Sequence, residues 1–143
     1  MSTGEPQWIV EVEAAVYMMA PQRNRLRAWL LDTCGTGCVH ITADSFRQLR
    51  DLHSSIAEEL RIAGIQLVEI DGNILAVSKQ LGTKLNSAVS QVLKLRGNEG
   101  KIYRLAAAYM KGATIITVDV ESPISTKKVC ESLEITAVEP EEI

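Results

Sequence analysis

The stretch Ala113-Thr-Ile-Ile-Thr-Val-Asp119 constrains the fold of this chain more than any other. Its unbroken β-branched character suits a strand covered on both faces, the usual situation in a parallel sheet. A helical period at 101–111, closed by Gly112, precedes it, and a short helical run at 124–132 separates it from a last strand, Ile135-Thr-Ala-Val138. Parallel neighbours need such crossovers, so one strand of this kind implies a helix on either side of it in the chain.

The same alternation runs through the earlier residues. Residues 8–17 (WIVEVEAAVY) read as a strand passing into a helical turn, and residues 22–31 place Leu26, Trp29 and Leu30 on one stripe of an amphipathic helix. Cys34-Gly-Thr-Gly37 is turn chemistry before a second strand, Cys38-Val-His-Ile41. From an N-cap at Thr42, the spacing of Phe46, Leu49, Leu52, Ile56 and Leu60 predicts one helix of about five turns, stopped by Gly64. A strand over 65–70 follows, and Asp71-Gly-Asn starts a helical period that reaches Arg96, with a break expected at Gly82-Thr83. The pattern specifies an α/β domain of four or five mostly parallel strands with helices on both faces. No linker or repeat divides the 143 residues, so 1–143 reads as a single domain with a leader at 1–7 and an acidic tail at 139–143.

Composition narrows the class. An apolar fraction of 46% with 23% charged residues excludes disordered and collagen-like chains. No apolar run reaches the roughly 18 residues of a membrane span, and residues 1–7 lack the order of a signal peptide. Together with an odd cysteine count, this gives the expectation of a cytoplasmic protein that does not engage membranes. The formal charge of −3 is unevenly spread: residues 131–143 carry five glutamates and no Lys or Arg, whereas residues 72–118 carry seven cations against Glu99 alone. That middle third, together with Arg23, Arg25 and Arg27, suits phosphate neutralisation or simply a solvated helix surface.

Ligands of an open parallel sheet bind beyond the carboxyl ends of its strands. The residues there are Glu11 and Glu13, the Thr42–Asp44 stretch, Asp71, and Asp119 with Glu121. Gathered carboxylates suit Mg²⁺ or Mn²⁺ and, through it, water activation for phosphodiester hydrolysis; the same acids also suit helix capping or plain solvation. Cys34-x3-Cys38-x-His40 carries zinc-type residues but lacks a second close ligand pair, and buried thiols, or a disulfide under oxidation, account for it equally. There is no nucleophile elbow, and Gly35-Thr-Gly37 lacks the remainder of a phosphate loop.

Residues 8–17, 25–49 and 100–138 together resemble a PIN domain, in particular short stand-alone PIN-like chains that read threonine-x-acid and then a valine-cysteine-glutamate helix: here Thr117-Val-Asp119 and Lys128-Val-Cys-Glu-Ser-Leu133. The resemblance implies a three-layer α/β/α fold and a Mg²⁺- or Mn²⁺-dependent ribonuclease of the toxin type. It also implies an antitoxin-like protein partner, RNA as substrate, and a capacity to form homodimers. Carried over by position, Glu11 and Asp119 hold the cation as catalytic residues, and Glu13, Asp44 or Glu99 completes the site. The chain departs from the family where it matters most. Glu11-Val-Glu13 stands for an Asp-Thr-Asn motif, Gln48-Leu49 for a glutamate-leucine pair, and Lys101 for an aspartate. A lysine at that position repels a divalent cation, so two functions follow: a ribonuclease with a degraded metal site, or an inactive module binding RNA or a protein partner. In the second, Lys101 and Arg104 fill the former metal pocket, with Lys94 and Arg96 nearby in sequence as further RNA contacts.

Overall fold

A computed structural model describes residues 5–85, 99–118 and 125–143. The described elements are β1 (Trp8–Val10), α1 (Val12–Met18), α2 (Asn24–Cys34), β2 (Val39–Thr42), α3 (Ala43–Leu52), α4 (Ser54–Ala63), β3 (Gln66–Val68), α5 (Gly72–Lys84), α6 (Glu99–Lys111), β4 (Thr114–Ile116), α7 (Thr126–Ser132) and β5 (Ala137–Val138), followed by a 3-10 turn, Pro140–Glu142. The five described strands form one sheet in the order β3-β2-β1-β4-β5, and every pairing is parallel.

Strand alternation divides the core into two layers. Ile9 and Ile115 face a cluster containing Ile74 and Leu81 of α5, Leu105 and Ala106 of α6, and Val129 of α7. Their neighbours Val10 and Ile116 face the opposite cluster, with Met18 of α1, Leu30 of α2, Leu49 of α3 and Leu60 of α4. All four strand residues are fully buried. This is why β1 and β4 read as continuous apolar runs rather than as an alternation of apolar and polar residues.

Two expected boundaries differ. The single helix predicted from Thr42 to Gly64 is two helices, because His53 leaves the helical region at φ −144°, ψ 65° between α3 and α4. The apolar spacing carries across that break, so periodicity alone does not reveal it. The helix expected to break at Gly82-Thr83 instead continues through both residues to Lys84. Its expected extension to Arg96 lies outside the described residues. Gly64 does close α4: its φ is 111°, and a Cβ there would lie 2.9 Å from the Cys34 carbonyl oxygen. The acidic segment 139–143 is folded onto the domain, with Pro140 buried.

Candidate functional site

In the order β3-β2-β1-β4-β5, the chain leaves β1 for β2 on one side and returns after β3 to β4 on the other. The crevice beyond the carboxyl ends of β1 and β4 is therefore the topological switch point of the sheet. Glu11 ends β1 there and caps α1, and Thr117 follows β4. Pairing of Val10 with Ile116 brings these two next residues side by side.

Glu11 is 5% exposed, and its carboxylate is fully engaged. Arg104 of α6 donates from Nε to Oε2 at 2.5 Å, and Thr117 donates from Oγ1 to Oε1 at 2.5 Å. Burial, the largest single influence, works to raise the Glu11 pKa; the Arg104 charge, the Thr117 hydrogen bond and the Lys101 charge outweigh it and hold the carboxyl below its usual range. Glu11 is thus an ionised group whose charge is balanced from within the chain. Lys101, one turn before Arg104 on α6, donates from Nζ to Thr126 Oγ1 at the start of α7, 2.6 Å away.

Asp44 completes this end of the sheet. It lies in the first turn of α3, and both its Oδ2 and Arg104 Nη1 lie against the bare Cα of Gly100: an added Cβ there would come 2.5 Å from the former and 3.1 Å from the latter. Asp44 Oδ1 is buried and accepts no hydrogen bond among the described residues. Glu13 is exposed in the first turn of α1, whereas Glu11 two residues before it is buried. Glu99 opens α6. Asp119, Lys94 and Arg96 lie outside the described residues. Asp71 is at the carboxyl end of β3 and accepts from the Ile74 amide at 3.0 Å, the capping role that spacing left open for it.

Sequence reasoning missed Thr117 and Thr126. Thr117 stood inside the motif quoted for Asp119, and its place directly after the apolar run was the available signal. Of the two cations expected in the former metal pocket, Arg104 makes the ion pair with Glu11, and Lys101 bonds to Thr126. The zinc-type residues do not converge: Cys34, Cys38 and Cys130 are buried thiols not joined in disulfides, and His40 Nε2 lies 2.8 Å from Gln7 Oε1. Burial pushes the Cys34 thiol up to about 12, which makes it inert at neutral pH. Among the described residues no three of His, Cys, Asp and Glu converge on a point where a metal ion would sit.

The arginines of α2 are also committed. Arg23 lies over the Tyr17 ring at 3.7 Å, Arg25 donates to the Ile143 carbonyl at 2.8 Å, and Arg27 pairs with Glu59. They tie the fold together rather than forming a bare cationic strip.

Sheet order, layers and the polar switch point define a three-layer α/β/α fold of the PIN-like type. The fold is similar to that of a chain in the crystal structure of VapBC2 from Rickettsia felis bound to a DNA fragment from their promoter, with a TM-score of 0.63, 12% sequence identity, and 92% of this chain and 97% of that chain covered. No family model and no curated protein matches the sequence. No described helix is long and apolar enough to cross a membrane.

Proposed function

We propose that this chain is a PIN-like module whose metal pocket has been rebuilt as an internal ion pair, so that it binds RNA without cleaving it. The observation that carries this reading is the Arg104 guanidinium 2.5 Å from Glu11, with Lys101 on the preceding turn. A divalent cation binds where carboxylates outnumber cations, and the described residues offer it one carboxylate already paired and one oxygen of Asp44. These donors do not fit Mg²⁺ or Mn²⁺. Lys101 and Arg104, with Lys94 and Arg96 in the same basic third of the sequence, are the groups that meet the phosphate backbone.

One observation favours a second reading, a ribonuclease with a degraded site. A buried, unpartnered carboxylate oxygen is costly, and Asp44 Oδ1 is relieved by any cation that reaches it. The likeness to VapBC2 supports a toxin–antitoxin context, and with it an antitoxin-like partner, for either reading.

Calorimetric titration with Mn²⁺ at neutral pH, alongside fluorescence anisotropy with single-stranded RNA at two salt concentrations, tests the proposal. The expected results are no saturable Mn²⁺ binding and RNA binding that weakens with salt, its salt slope falling by about one in Lys101→Met. Micromolar Mn²⁺ binding abolished by Asp119→Asn would restore the ribonuclease reading. Absence of RNA binding at low salt would leave a protein as the partner.

A further inference from the structure

Residues 139–143 (Glu-Pro-Glu-Glu-Ile) bind their own domain as a peptide ligand would. Lys127 of α7 donates to Glu142 Oε1 at 2.7 Å and lies 3.8 Å from Glu139 Oε2. Tyr17 of α1 donates to Glu141, and Arg25 of α2 donates to the Ile143 backbone carbonyl. The Arg23 guanidinium stacks on the Tyr17 ring and fixes its place. Pro140 is buried, and Ile143 packs against the α1–α4 core layer. Two of the acids thus meet Lys127, the third meets Tyr17, the Ile143 carbonyl meets Arg25, and the proline and isoleucine meet an apolar floor.

The receiving groups belong to elements other than this segment. Tyr17, Arg25 and Lys127 sit on three helices, each anchored by a buried adjacent residue: Met18, Leu26 and Thr126. The charged ties of the segment are weak ones. Its ion pairs to Lys127 join side chains that are 33% to 47% exposed, and exposed pairs of this kind contribute little. Displacement of the segment is therefore opposed chiefly by the burial of Pro140 and the packing of Ile143.

We propose that the face formed by Tyr17, Arg23, Arg25 and Lys127 is a docking site for an acidic segment of a partner protein, with residues 139–143 as its resident competitor. The partner segment carries two or three carboxylates around a proline and an apolar residue to replace Ile143. Charge complementarity selects it, since an uncharged peptide leaves Lys127 without its two carboxylates and a basic one is repelled by Lys127 and the neighbouring arginines.

The test uses the full chain and a fluorescein-labelled peptide of residues 137–143. Replacing the three glutamates of the resident segment together (Glu139→Gln, Glu141→Gln, Glu142→Gln) removes a competitor whose effective concentration is on the order of millimolar, so the labelled peptide should bind at least about tenfold tighter than to the unaltered chain. Adding Arg25→Glu and Lys127→Glu should abolish that gain. A folded triple variant with no gain overturns the proposal. As a second measurement on the unaltered chain, excess unlabelled peptide should raise hydrogen exchange in residues 139–143; unchanged exchange at millimolar peptide overturns it as well. A concentration-dependent dimer of the unaltered chain that Arg25→Glu dissolves would make a second copy the occupant, and also overturns a partner protein in that role.

Discussion

The two ends of the sheet solve the same problem in different ways. β1 carries Gln7 before its amino end and Glu11 after its carboxyl end, and both side chains are drawn into polar clusters with residues of neighbouring strands. At the amino end every partner is neutral or exposed to solvent: Gln7 Oε1 meets His40, Gln7 Nε2 lies 3.5 Å from Cys38 Sγ, and Cys38 donates to Glu5 at 3.2 Å. His40 is kept neutral because burial first, and then the charge of Lys111, push its pKa from 6.5 down to about 4. At the carboxyl end the partners are ions, and Glu11 stays charged because Arg104 answers it. A buried polar group is thus accommodated either by discharging it or by pairing it, and only pairing leaves charged groups at the switch point of the sheet.

The largest effect should come from breaking the pair. Arg104→Ala leaves a buried carboxylate without its countercharge and should cost about 3–5 kcal/mol of stability in chemical denaturation. Glu11→Gln with Arg104→Met removes both charges and should recover most of that loss. Equal destabilisation by the single and double variants would mean that the Arg104 stem, not its charge, holds the site together.

The next effect separates the two ends by pH. The unfolded chain protonates His40 near 6.5 while the folded chain resists until about 4, so between those values the unfolded state binds more protons and stability falls as pH falls. Glu11 acts lower: with its folded pKa below the usual 4.5, its contribution is present above 4.5 and is lost as pH drops through the folded value. Thermal melts from pH 7 downward should show the His40 phase first and the Glu11 phase below it. His40→Gln should flatten the upper phase and leave the lower one. Persistence of the upper phase in that variant would assign it elsewhere.

The smallest effect belongs to the neutral cluster. Gln7→Ala removes the partner of His40 and should cost about 1 kcal/mol, the net value of an ordinary hydrogen bond. A loss as large as that of Arg104→Ala would erase the distinction between the two ends.

Much of the fold was legible because local pattern and tertiary role coincide. The β-branched run at 113–119 reads as a doubly covered strand, and the glycines at 64 and 112 read as helix ends, since each property resides in consecutive residues. The break at His53 was hidden because the apolar stripe spans it and both helices pack the same core layer. Arg23, Arg25 and Arg27 read as a basic group, yet their partners are Tyr17, Ile143 and Glu59, contacts that helical spacing does not encode.

The sequence by itself determined an α/β alternation of mostly parallel strands, the acids that follow those strands, and the presence of lysine where the family pattern has aspartate. Only the tertiary structure decided which cation neutralises Glu11. Arg104 and Lys101 are one turn apart on the same helix, and 93 residues separate Glu11 from Arg104. Which of the two reaches Glu11 depends on how α6 lies across the sheet. The answer is set by the packing of Leu105 and Ala106 against Ile9 and Ile115, not by any property of the charged residues themselves.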